Sequence, residues 1–128
     1  MNVETHSDDN GDAAVRTAAE AQVALAAAGD KIVVFYFTGR FCGPCKQIKP
    51  VVAALAQTYA RQLRVFTIDI GARDLVANFA VRSIPTFVLL RRNKIIYTHT
   101  GADAEKLTQL VQLVANAAFP ELMLDGES

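Results

Sequence analysis

With 128 residues, 52% of them apolar, the chain is long enough for one domain with its own core and too apolar to be disordered. No apolar run reaches the ~18 residues a membrane helix needs, so a spanning helix is excluded. The net charge of zero conceals an asymmetry: Glu4, Asp8, Asp9 and Asp12 stand in residues 1–12 and Glu121, Asp125 and Glu127 in residues 119–128, while all 13 Lys and Arg lie between. Six acids accompany them there, leaving an excess of about seven positive charges in the core. The ends read as solvated tails; attraction of acidic partners to the core is the alternative. The first ten residues are polar and acidic, unlike a secretory signal or a mitochondrial transit peptide.

Residues 1–12 lack an apolar period and read as a flexible extension. Ala13 to Arg16 reads as a short edge strand. Thr17 and Glu20 have capping-box spacing ahead of the Ala-rich run Ala18–Ala28, and Gly29 suits the position after a helix. Lys31–Phe37 is β-branched and aromatic without alternation, the pattern of a strand covered on both faces. After the two cysteines, Ile48, Val51, Val52, Leu55 and Tyr59 recur at helical spacing, with Pro50 expected to kink the axis. Leu63–Ile70 predicts a second buried strand, and Arg73–Phe79 a short helix presenting Leu75, Val76 and Phe79. Phe87–Leu90 and Ile95–His99 predict a hairpin about the turn Arg91–Lys94, which is too short and too poor in aromatics for a nucleic-acid site. Gly101 ends the hairpin. A last helix is expected from about Asp103 to Ala118, with Leu107, Leu110, Val111 and Val114 inward and Pro120 beyond its end. This order predicts an α/β fold: a mixed sheet with helices on both faces, its strands 31–37 and 63–70 parallel.

Both cysteines lie in Phe41-Cys42-Gly43-Pro44-Cys45-Lys46, between a strand and a helix. Residues three apart share a helix face, with Cβ atoms about 5–6 Å apart, and modest tightening of the first turn brings them to disulfide range. Pro44 fits a first helical turn, where its missing N–H costs nothing, and Gly43 keeps the surface beside the sulfurs open. Unpaired N–H groups and the dipole at a helix start favour a thiolate, the reactive form. A fall in thiol pKa from ~8.5 to ~7 corresponds to about 2 kcal/mol. Cys42, at the helix end, is expected to attack a disulfide; Cys45, one turn inside, to resolve the mixed disulfide. The competing readings are an inert packed dithiol or half of a metal site. A zinc site needs two more ligands, and the only histidines are His6, near the chain start, and His99, read as an exposed strand residue.

The motif Cys42-Gly43-Pro44-Cys45-Lys46, the stretch Ala27–Val34, Val81-Arg82-Ser83-Ile84-Pro85-Thr86-Phe87 and Gly101 together resemble the thioredoxin family, over residues 13–118. The resemblance implies a thioredoxin fold, with a central mixed sheet of four to five strands flanked by about four helices. It implies protein-disulfide reduction through a Cys42–Cys45 redox pair, a cis-proline at Pro85 facing the disulfide, and strand-like binding of an extended client by the Ile84 backbone. Phe41, Gly43, Pro44, Ile84, Pro85, Gly101 and Ala102 would line the contact surface. It also implies no bound cofactor and no metal. Electrons would come from an NADPH-dependent flavin reductase or a low-molecular-weight dithiol, and the partners would be disulfide-containing clients of a monomer that binds neither nucleic acid nor membrane. Separately from the resemblance, the close Cys-x-x-Cys pair and the start unlike a signal peptide point to a reducing compartment: the cytoplasm, or an organelle such as the mitochondrion if a targeting segment has been removed.

The departures from the family pattern are local. Phe41 stands where the family has Trp before the first cysteine, and Thr38 where it has a second Trp. Tyr36 stands in place of the buried Asp that helps move the proton of the inner thiol, and Val65 or Thr67 lies where a Lys accompanies it. A neutral tyrosine cannot serve as a carboxylate base near pH 7, and Tyr36 reads as a packed aromatic with its hydroxyl satisfied. Water or a substrate group must then take the Cys45 proton, so a slow resolving step is expected, without a coupled Cys–Asp titration. Two other readings compete with the reductase. One is an oxidant or isomerase, which the Gly-Pro interior disfavours. The other is a non-enzymatic redox-sensing or scaffold module that binds partners around Cys42, Ile84 and Pro85.

Overall fold

The computed structural model describes residues 13–117. The expectations for the acidic ends, His6, Ala118 and Pro120 lie outside the described residues. The elements in chain order are β1 (Ala13–Ala14), α1 (Ala18–Ala28), β2 (Ile32–Thr38), α2 (Gly43–Thr58), β3 (Leu63–Asp69), α3 (Arg73–Asn78), β4 (Thr86–Arg91), β5 (Lys94–Thr100) and α4 (Ala104–Asn116). They make one five-stranded sheet in the order β1-β3-β2-β4-β5. β1 and β2 run parallel to β3, while β4 runs antiparallel to both β2 and β5.

The unbroken apolar run of β2 divides between two cores because successive side chains of a strand point to opposite faces. Ile32, Val34 and Tyr36 join Ile48, Val52 and Leu55 of α2 and Leu107, Val111 and Val114 of α4. Val33, Phe35 and Phe37 join Ala21, Ala24 and Ala28 of α1 and Leu75 of α3 on the other face. A strand buried on both sides therefore needs no polar alternation. On the second face the Phe35 ring meets Phe66 edge-on at 6.2 Å and Phe79 at 5.5 Å.

Helix ends follow the local chemistry closely. Thr17 Oγ1 accepts the Glu20 N–H at 3.1 Å, as a capping residue should. The reciprocal arm lands one residue earlier than a regular capping box: Glu20 Oε1 takes the N–H of Arg16 at 2.6 Å. α2 continues through Pro50, which lies on its exposed side, and Tyr59 falls at the C-cap. In the β4–β5 hairpin, Arg92 and Asn93 both have positive φ (52° and 68°), the backbone of a tight two-residue turn. Arg91 is more than a turn residue: it is buried, and its Nε donates to the Asp30 carbonyl at 3.1 Å. Arg92 Nε donates to Asp30 Oδ1 at 2.6 Å, so both arginines tie the hairpin to the loop before β2.

His99 differs from the expectation of an exposed strand residue. It is half-buried, its ring stacks on Phe87 at 6.1 Å, and its Nε2 is buried with no hydrogen-bond partner among the described residues. The register explains this: His99 lies opposite Phe87 in the β4–β5 ladder, and Phe87 is fully buried.

Truncating the ring that joins β2, β3 and α3 tests this packing. Phe35→Ala is expected to lower unfolding free energy by about 3–5 kcal/mol in urea denaturation, with the fold retained. A loss below about 1 kcal/mol would contradict the packing described.

Candidate active site

The end of β2 delivers Thr38, Gly39, Arg40 and Phe41 to the top of the sheet, and α2 starts immediately after. Cys42 is the N-cap of α2, with extended backbone (φ −113°, ψ 106°). Its carbonyl accepts the Lys46 N–H at 3.1 Å and its Sγ accepts the Cys45 N–H at 3.1 Å. The sulfur thus occupies the place usually held by a Ser or Asp oxygen, with an otherwise unused helix-start donor aimed at it. Pro44 lies in the first turn, where no N–H is required. Cys42 and Cys45 are bonded to each other, with Cα atoms 5.2 Å apart. They differ in access: Cys42 is 8% exposed and Cys45 2%.

The loop before β4 closes the other side. Ile84–Pro85 is a cis peptide bond, and the Ile84 carbonyl lies 3.9 Å from Cys42 Sγ. Thr86 Oγ1 donates to the Ser83 carbonyl at 2.7 Å, bracing the turn that holds Pro85. Gly101, at φ 111°, donates its N–H to the Pro85 carbonyl at 2.8 Å. A side chain at Gly101 would be strained there.

The expected contact residues therefore divide. Phe41, Cys42 and Ile84 line one groove of about 560 Å³. Gly43 and Pro44 are exposed on the first turn of α2, and Gly101 joins Pro85 on the opposite flank. Ala102 is half-buried against the core between α2 and α4. Phe41 is 92% exposed, the most exposed large apolar residue among the described ones, and the Arg40 guanidinium lies 5.8 Å from its ring centroid.

Sequence reasoning missed Arg40, Ile70 and Arg73, which also line this groove. A signal existed: β2 and β3 are parallel neighbours, so the loops at their C-terminal ends must lie side by side. Gly39 belongs to the same contact. A Cβ there would stand 2.9 Å from Ile84 Cδ1 and 3.4 Å from Ile70 Cδ1, so the small residue lets both isoleucines close over the loop.

Behind Cys45 is a recess of about 310 Å³ whose lining includes Tyr36, Thr38, Lys49, Thr67 and Asp69. Tyr36 is 3% exposed, stacked on Phe87 at 4.9 Å, and donates its hydroxyl to the Cys45 carbonyl at 3.1 Å. Thr67 is its ladder partner on β3, while Val65 is buried in the core. Tyr36 is thus the packed aromatic with a satisfied hydroxyl that its residue type suggested, and it braces the turn holding Cys45. Among the described residues no group of three or more His, Cys, Asp or Glu is placed to hold a metal ion.

Comparison with known proteins agrees with this geometry. The thioredoxin family model matches residues 12–116. Thioredoxin-1 of Drosophila melanogaster is 38% identical over 106 residues, covering 82% of this chain and 99% of its own length. Thioredoxin of Mus musculus is 39% identical over 87 residues, covering 67% of this chain and 82% of its own. Among solved structures, the germline-specific thioredoxin Deadhead of Drosophila melanogaster superimposes with a TM-score of 0.75 at 38% identity, covering 80% of this chain and 98% of that one. The fold and the bonded cysteine pair define a thiol–disulfide oxidoreductase. The chain belongs to the thioredoxin family and is a protein-disulfide reductase.

The Tyr36 hydroxyl gives a direct test. Tyr36→Phe removes one buried hydrogen bond and is expected to cost about 1 kcal/mol of stability. Disulfide reduction should persist, with its pH profile unchanged between pH 5 and 8. A profile that loses an ionisation in this variant would contradict the bracing role.

Proposed function

We propose that Cys42 is the attacking thiol and Cys45 the resolving one. The observation that carries this is the Cys45 N–H at 3.1 Å from Cys42 Sγ, together with the greater exposure of Cys42. In the reduced protein that donor and the helix start favour negative charge on Cys42. The Cys42 thiolate attacks one sulfur of a client disulfide. A Cys42–client disulfide forms, and the other client sulfur leaves as thiolate and takes a proton. Cys45 then loses its proton and attacks Cys42 Sγ. The Cys42–Cys45 disulfide forms and the second client thiolate departs. Two electrons have passed to the client, and the bonded pair is the oxidised end of the cycle.

Client backbone is held by the Ile84 main chain as an added strand segment. Phe41, Gly43, Pro44, Ile84 and Pro85 form the contact surface, with Gly101 supporting Pro85. Tyr36 offers no carboxylate, so the Cys45 proton leaves through water or a client group, and resolution limits turnover. The dithiol is restored by two electrons and two protons from an NADPH-dependent flavin reductase or a small dithiol. The clients are disulfide-containing proteins, and the setting is a reducing intracellular compartment such as the cytoplasm. The support for that setting is compositional: both cysteines of the chain are in the redox pair.

Two variants test the assignment. Cys42→Ser should abolish insulin reduction with a small dithiol as donor. Cys45→Ser should accumulate a mixed disulfide on Cys42, visible by mass spectrometry of the intact protein. Turnover surviving in Cys42→Ser, or a client trapped on Cys45 in that variant, would overturn the roles.

A further inference from the structure

The groove beside Cys42 has a charge pattern that the redox chemistry does not require. Arg40 and Arg73 line it, both exposed, and neither forms an ion pair among the described residues. The carboxylates nearby are otherwise engaged. Asp69 Oδ2 accepts the Gly71 N–H at 2.7 Å. Asp74, the residue after Arg73, gives Oδ2 to the Ala18 N–H at 3.0 Å and Oδ1 to the Leu75 N–H at 2.7 Å. Lys46 and Lys49 line the adjoining recess with Arg40 and Asp69. The linings of the groove and the recess thus hold four cations, Arg40, Lys46, Lys49 and Arg73, and one carboxylate, Asp69, with Asp74 just outside.

The opposite flank is different. Beyond Pro85, along the sheet order β2-β4-β5, the chain passes through Gly101 and Ala102 to Asp103, which caps α4 by accepting the Lys106 N–H at 3.0 Å. A client lying across Ile84 and Pro85 therefore has the cation-lined groove on its Cys42 side. The cationic side is also the side with an open groove and the exposed Phe41 ring.

We propose that the Arg40–Arg73 groove selects client peptides that carry Asp or Glu beside the cysteine to be reduced. This rests on the reductase reading and specifies its substrate class. The guanidiniums are exposed, so their main effect is on encounter and register, and it weakens with salt. Paired with a client carboxylate, each is expected to give a few-fold preference rather than an absolute one.

The test uses three disulfide peptides of equal length, with the reducible cysteine flanked by Asp, by Ala or by Lys, and compares kcat/KM at 20 mM and 500 mM salt. The acidic peptide is expected to exceed the neutral one about fivefold at low salt and the basic one by more, with both ratios shrinking at high salt. The double variant Arg40→Gln/Arg73→Gln should bring the acidic-to-neutral ratio close to one. Arg61→Gln, a charge removed in the recess among Asp30, Lys31 and Arg91 at the other end of β2, should keep the ratio. A ratio at or below one in the unsubstituted protein, or one preserved in the double variant, overturns the proposal and leaves the reductase reading intact. If none of the three peptides is reduced, both fall. If oxidised glutathione is reduced as fast as the acidic peptide, the groove serves small anionic disulfides and the peptide selection is wrong.

Discussion

The hydrogen bond from the Cys45 N–H to Cys42 Sγ is the contact on which the site depends. It exists because a cysteine stands where a helix cap is required, and because Pro44 and Gly43 let the first turn form around it. The same geometry brings the sulfurs within bonding range, with Cα atoms 5.2 Å apart, and leaves the outer one nearer solvent. Pairing and unequal exposure thus follow from one turn of helix, and the proposed order of attack rests on the same turn. The sheet then fixes where that turn points. β2 ends beside β4 in the ladder, so the start of α2 faces the Ile84–Pro85 turn.

Tyr36 shows how one packed side chain can hold the turn beneath the reacting atoms. Strand alternation sends position 36 to the face that packs on α2, so whatever stands there meets the turn holding Cys45. A carboxylate there could exchange a proton with the inner thiol. The tyrosine instead spends its hydroxyl on the Cys45 carbonyl and its ring on Phe87. The turn is held in place without a base, which separates the positioning of Cys45 from its deprotonation. The recess beside it, with Lys49 and Asp69 in its lining, leaves room for water near the inner sulfur.

Much of this was legible in the residues. The two-faced burial of β2, the Thr17 cap, the four helices and the cysteine pair follow from periodicity and local chemistry. What stayed hidden depends on distant partners. His99 reads as exposed because nothing local marks it, yet its register opposite Phe87 draws it half into the core. Arg91 reads as part of a charged turn, yet it is buried and donates to the carbonyl of Asp30, sixty-one residues away in sequence. Arg40 and Arg73 look like ordinary surface charge until parallel pairing of β2 and β3 sets their loops together at the groove. Local rules locate the chemistry; the surroundings of the site come from topology.

In the proposed cycle the helix start makes the two sulfurs unequal. Alkylating the reduced protein with limiting iodoacetamide at pH 7 and mapping the product by peptide mass spectrometry reads that inequality. Modification is expected at Cys42, with Cys45 untouched in the first-labelled population. Equal labelling of the two cysteines, or Cys45 labelled first, would contradict it.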